Sequence, residues 1–191
     1  MSETAKALRE GARLKGLLAR KESARIDRMG ALLVRTLKAG RRIYACGNGG
    51  SAADAQHLAA ELVGTYSDRT RRALPAQALT TDSSALTSIA NDLGFERVFS
   101  RQVEALVRRG DVLVCISTSG KSPNVLEAAR AARKLGAVVL ALTGEPGEPL
   151  AALSDEILKV PSRETPRIQE CHIAVIHLLC EAVEKAFLPR R

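Results

Sequence analysis

Three short runs constrain this chain most: Ile43 to Cys46, Asp111 to Ile116 (DVLVCI) and Ala137 to Leu142. An apolar run that does not alternate with polar residues marks a strand buried on both faces. The first two runs lead directly into loops of small residues, Gly47-Asn48-Gly49-Gly50 and Ser117 to Ser122, and each loop opens a helix. Glu156 to Val160 reads as a further strand and Pro75 to Thr80 as a weak one. Buried strands alternating with helices give a parallel sheet with helices on both faces, and right-handed crossovers leave few topologies. The expectation is one α/β domain, a three-layer α/β/α sandwich around a five-stranded parallel sheet. Ligands in such sheets bind beyond the carboxyl ends of the strands, where strand order reverses. Both loops follow a strand and belong at that end.

Residues 3 to about 38 carry Leu8, Leu14, Leu17, Leu18, Ile26, Met29, Leu32, Leu33 and Leu37 at helical spacing, with Gly11 and Gly16 leaving room for two helices. This arm precedes the first strand and cannot be a crossover. It either covers the sheet or packs on copies of itself. Further on, Ser83 to Leu93 predicts a short helix stopped by Gly94, and Phe95 to Val107 an amphipathic one. Ser122-Pro123 and Thr165-Pro166 have the cap-plus-proline form of helix starts, for helices reaching Lys134 and about Phe187. Pro149 to Leu153 predicts one more short helix.

The net charge is +8, spread over Arg41-Arg42, Arg69 to Arg72, Arg108-Arg109 and Arg190-Arg191. Aromatics are 3% of the 191 residues and Trp is absent, which argues against a platform for stacked bases. The charge therefore fits steering of small phosphorylated substrates better than nucleic acid. Cys46, Cys115, Cys171 and Cys180 form no C-x-x-C pair and read as buried, reduced thiols, which suits a cytosolic protein. No apolar run approaches the ~20 residues of a membrane span, and the N-terminus lacks a signal-peptide core.

The loop Gly47 to Ser51 matches neither the dinucleotide fingerprint nor the Walker pattern. It reads as strand, glycine turn and helix tip, with Ser51 and Asp54 at capping-box spacing. Helix tips offer unpaired N–H groups and partial positive charge to an anion. The hydroxyl-rich loop Ser117 to Ser122 offers a second such cradle. His57 and Glu61 share a helix face. As an exposed pair they would contribute only ~0.3–0.5 kcal/mol. His177 borders a stripe of Gln169, Ile173, Ile176 and Cys180, where a lone histidine more often packs into the core than binds a ligand.

The runs GNGGSAADAQH, IANDLGF, ISTSGKSPN and TPRIQECH, in that order, resemble the sugar-isomerase (SIS) family, and within it the phosphoheptose isomerases. The similarity spans roughly Ile43 to Val183, and the helical arm 1–38 also has a counterpart, an oligomerisation arm on a single SIS domain. The resemblance implies sugar-phosphate contacts from Asn48, Gly49, Gly50, Asn91, Asp92, Ser117, Thr118, Ser119, Ser122, Glu61 and Gln169. It implies a zinc ion, one per subunit, on His57, Glu61, Gln169 and His177, with Glu61 and His177 as the acid/base pair. It implies a cytoplasmic homotetramer that converts D-sedoheptulose 7-phosphate to D-glycero-D-manno-heptose 7-phosphate for surface polysaccharide. A non-catalytic relative binds the bacterial replication initiator, and other sugar-phosphate isomerases share the fold. Glu61 and His177 favour the enzyme, since a scaffold needs neither. One departure is Pro166, where some members carry Asp before Arg-Ile-Gln. Gln169 and His177, eight residues apart, lie ~12 Å apart along a helix. One ion could meet both only if they leaned together, so a site shared between subunits is expected.

Overall fold

The computed structural model describes residues 2–189, which leaves Met1, Arg190 and Arg191 outside the described residues. Two helices, α1 (Glu3–Lys21) and α2 (Ser23–Lys38), precede strand β1 (Ile43–Gly47) and helix α3 (Gly50–Val63). Then come β2 (Ala76–Ala78), α4 (Ser83–Leu93), α5 (Ser100–Leu106), β3 (Val112–Ser117) and α6 (Pro123–Lys134). The chain closes with β4 (Val138–Thr143), β5 (Glu156–Lys159) and α7 (Thr165–Phe187). The five strands are all parallel, in the order β2-β1-β3-β4-β5. Strand order reverses between β1 and β3, whose registered ends, Gly47 opposite Ile116, launch the glycine and serine loops side by side.

Side chains alternate across the sheet and divide the interior in two. Ile43, Ala45, Val112, Val114, Ile116, Leu140 and Leu142 pack with α1, α2, α3 and α7. Tyr44, Cys46, Leu113, Cys115, Val139 and Ala141 pack with α5 and α6. The arm therefore does cover the sheet: Met29, Leu33 and Leu37 of α2 belong to the first core, and α2 packs along α7. It divides at Glu22, not at either glycine. All four cysteines are buried free thiols. No described helix is long and apolar enough to cross a membrane.

Three local expectations are corrected. The stretch 95–107 is a 3-10 turn at Phe95–Arg97 followed by the short α5, because Val98 and Phe99 are drawn into the second core. The 149–153 segment is likewise a 3-10 turn, Leu150–Leu153. The capping box does not form. Gly49 is the N-cap of α3 at φ 55°, and Ser51 and Asp54 lie buried inside the helix.

His172, on α7, is fully buried with no hydrogen-bond partner on either ring nitrogen. Burial lowers its pKa from 6.5 to about 4, the nearby Thr143 backbone offsetting this in part. The unfolded chain takes up this proton below about 6.5, while the folded chain resists until about 4. Stability is thus expected to fall as pH drops through that window, by up to about 3 kcal/mol. Urea unfolding at pH 7 and pH 4.5 measures the slope, and His172→Leu should flatten it.

Candidate active site

The two loops at the carboxyl edge are joined to each other. Asn48 donates its side-chain amide to Asn124 Oδ1 at 2.9 Å, and Asn124 returns the bond to Asn48 Oδ1 at 2.8 Å. Asn124, 2% exposed, opens α6, so this reciprocal pair holds the tips of α3 and α6 together. Neither tip has a side-chain cap. Ser122 holds the cap position of α6, yet its hydroxyl meets Ser117 Oγ at 3.0 Å instead of a helix N–H. Ser119 Oγ accepts from the Lys121 N–H at 3.1 Å. Among the described residues, nothing accepts from the N–H groups of Gly49 or Gly50. Two open helix tips and a row of hydroxyls thus face one place, an arrangement suited to a phosphate.

A second constellation lies further along α3. His177 of α7 brings its Nε2 to 3.0 Å from His57 Nε2, and Glu61 Oε1 is 3.3 Å from that same nitrogen. The Tyr66 ring stands 6.1 Å from the His177 ring. The Glu61 side chain is 22% exposed and that of His57 38%, so a ligand can reach both. One imidazole nitrogen carries either a proton or a lone pair. His57 Nε2 faces a nitrogen and a carboxylate together, so this point has more acceptors than protons. Asp54, one turn earlier, is buried with Oδ2 unpartnered. Burial pushes its carboxyl up to about 6, with His57 pulling the other way. Among the described residues, no three His, Cys, Asp or Glu side chains are placed so as to hold a metal ion as they stand. His57, Glu61 and His177 nonetheless carry the nitrogen and oxygen donors that zinc takes, and the surplus of acceptors at His57 Nε2 and the unpartnered Asp54 oxygen are chemically compatible with a cation there.

Residues 8–144 match the SIS domain family. The chain is 57% identical over 162 residues to phosphoheptose isomerase 1 of Campylobacter jejuni, covering 85% of this chain and 87% of that one. The chain belongs to the phosphoheptose isomerase family of SIS-domain proteins. Solved phosphoheptose isomerases agree. That from Neisseria gonorrhoeae superposes with a TM-score of 0.90 at 47% identity, covering 95% of this chain and 97% of its own. That from Francisella tularensis gives 0.92 at 34% identity, covering 97% and 100%.

The phosphoheptose isomerase resemblance singled out thirteen residues, and one chain does not bring them all together. Asn48, Gly49, Gly50, Ser117, Thr118, Ser119 and Ser122 share the carboxyl edge. Asn48 spends its side-chain amide on Asn124 and its carbonyl on the Ser51 N–H. Gln169 lies against α3's first turn, where a Cβ on Gly50 would collide with its amide; the glycine makes that room. His57, Glu61 and His177 form the other group. Asn91 and Asp92 lie on α4, exposed, with Asn91 donating to Asp92 at 2.7 Å. Helices α3 and α7 run in the same direction, Gln169 beside Gly50 and His177 beside His57, so Gln169 does not reach the histidines.

Sequence reasoning missed Asn124, buried Arg71 and Glu184. Asn124 stood in the quoted ISTSGKSPN run and could have been noticed as the one amide opening α6. Arg71 and Glu184 had no sequence signal, since their pairing joins positions 113 residues apart.

Proposed function

We propose that the chain interconverts D-sedoheptulose 7-phosphate and D-glycero-D-manno-heptose 7-phosphate through an enediol. The observation that carries this reading is the meeting of three acid/base side chains, with His57 Nε2 at 3.0 Å from His177 Nε2 and 3.3 Å from Glu61 Oε1. The Glu61 carboxylate takes the proton from C1, and the C–H electrons become the C1=C2 double bond. The C2 carbonyl oxygen gains a proton from His177 as this happens. Return of a proton to C2 and loss of the O1 proton complete the aldose. Such positioned acid/base groups each contribute about 10²–10⁴-fold. The two helix tips hold the phosphate, whose binding energy orients the reacting carbons.

His57, Glu61 and His177 would hold the zinc ion, one per subunit, and Gln169 would reach it only from another copy. When bound, zinc polarises the substrate carbonyl as a Lewis acid. Dialysis against a chelator is expected to lower turnover at least 10-fold, with zinc restoring it, and unchanged turnover would remove the metal from this reading.

The site is shared between copies in this reading, which a cytoplasmic homotetramer would provide. Gly50 and Glu61 lie eleven residues apart on α3, ~16 Å along the axis. An extended heptose phosphate spans only ~10 Å at ordinary bond lengths. The loops of one copy and the Glu61 group of another can lie closer than that. Glu61 and His177 meet the same His57 within one chain, so Glu61→Gln and His177→Gln subunits should not rescue each other. Mixing Glu61→Gln with Ser119→Ala subunits should recover activity, and no recovery would contradict sharing. A coupled assay with sedoheptulose 7-phosphate tests the activity itself. Heptose made this way would feed surface polysaccharide.

A further inference from the structure

Arg71 is out of reach of any substrate, its side chain 1% exposed, yet both of its Nη atoms are fully used as donors and its Nε faces a carboxylate. Nη2 donates to the carbonyls of Glu61 at 2.7 Å and Gly64 at 2.8 Å. Nη1 donates to those of Leu62 at 3.0 Å and Arg72 at 2.6 Å. Nε faces Glu184 Oε1 at 3.5 Å. A helix leaves its last carbonyls unpaired and its C-terminal end partly negative. Arg71 closes that end of α3 at the residue that bears the catalytic carboxylate. Glu184 lies on α7 seven residues after His177, hence on the same helix face. Its carboxylate accepts the N–H groups of Tyr66, Ser67 and Asp68 and, at 2.5 Å, the Ser67 hydroxyl. The segment between α3 and β2 is thereby fastened to α7, with Tyr66 beside His177.

We propose that Arg71 and Glu184 are positioning residues that bolt the end of α3 to α7 and so fix the separation of Glu61 and His177. The proposal rests on the assignment of Glu61 and His177 as the proton-transferring pair. Stability alone is a poor reason for this arrangement, because packed apolar residues often replace a buried ion pair without loss. An arginine fork aimed at four carbonyls fixes direction, which a lysine cannot do. Misplacement of a reacting group by about 1 Å can cost 10²-fold in rate.

The test is steady-state kinetics on Arg71→Lys and Glu184→Gln, with thermal unfolding recorded beside each. The expected result is kcat lowered at least 10-fold with KM within about twofold, because the phosphate loops are untouched. In Arg71→Ala, guanidinium ion at millimolar concentration should restore part of kcat, an effect that general loosening of the fold would not give. Where Arg71→Ala yields no folded protein, the other two variants decide. Folded Arg71→Lys and Glu184→Gln with wild-type kcat and KM would overturn the proposal. An inactive wild type, or a fully active Glu61→Gln, would instead overturn the assignment beneath it.

Discussion

Replacing Glu61 by Gln is expected to lower kcat by about 10³–10⁴-fold, at the upper end of what one acid/base group supplies. The amide keeps the shape and one oxygen donor, but it cannot take a proton from carbon. KM should move little, because the proposed phosphate grip lies at the two helix tips, the nearer of which, Gly50, is eleven residues from Glu61 along α3. Loss of kcat at constant KM identifies an interaction made only in the transition state. Isothermal titration with sedoheptulose 7-phosphate should show that the variant still binds. A raised KM with kcat unchanged would mean that Glu61 holds substrate without moving its proton.

Gly47→Ala is expected to be the most damaging single substitution at the carboxyl edge. A Cβ there would stand 2.6 Å from the Ser51 carbonyl oxygen and 2.9 Å from that of Ile116. Both obstacles are backbone, one in α3 and one in β3, so neither can rotate away. Overpacking of this kind costs about 1–3 kcal/mol, and rigid neighbours on two sides place it at the upper end. For a chain of this size that is a melting temperature lower by roughly 6–12 °C. Prying α3 from β3 also parts the loops that Asn48 and Asn124 tie together, so KM should rise alongside the loss of stability. A variant that melts and binds like the parent would show that the loop spacing carries no strain.

The sheet was legible because its strands are continuous apolar runs, which only a doubly covered parallel sheet accommodates. The helix starts near Pro123 and Pro166 were legible for a local reason, proline's fixed φ, although α7 opens one residue early, with Glu164 and not Thr165 at the cap position. What failed was decided by packing. Ser51 and Asp54 have capping-box spacing, but the chain turns one residue earlier at Gly49, and both side chains end up buried. Phe95 to Val107 has helical periodicity, yet Val98 and Phe99 gain more from the core than from an unbroken helix. The His57 and Glu61 pair was visible as i, i+4 spacing, whereas its meeting with His177 depends on the parallel course of α3 and α7. Arg71 and Glu184 could not be foreseen, since a buried ion pair between distant segments leaves no periodic trace.

The structure of the Glu61→Gln variant with sedoheptulose 7-phosphate bound tests the account most directly. The phosphate is expected between the Gly49-Gly50 turn and the Ser117 to Ser122 loop, with C1 and C2 within about 3.5 Å of the substituted side chain at position 61 and of His177, from the same or a neighbouring copy. A phosphate seated away from both loops, or reacting carbons beyond the reach of both side chains in every copy, would contradict it.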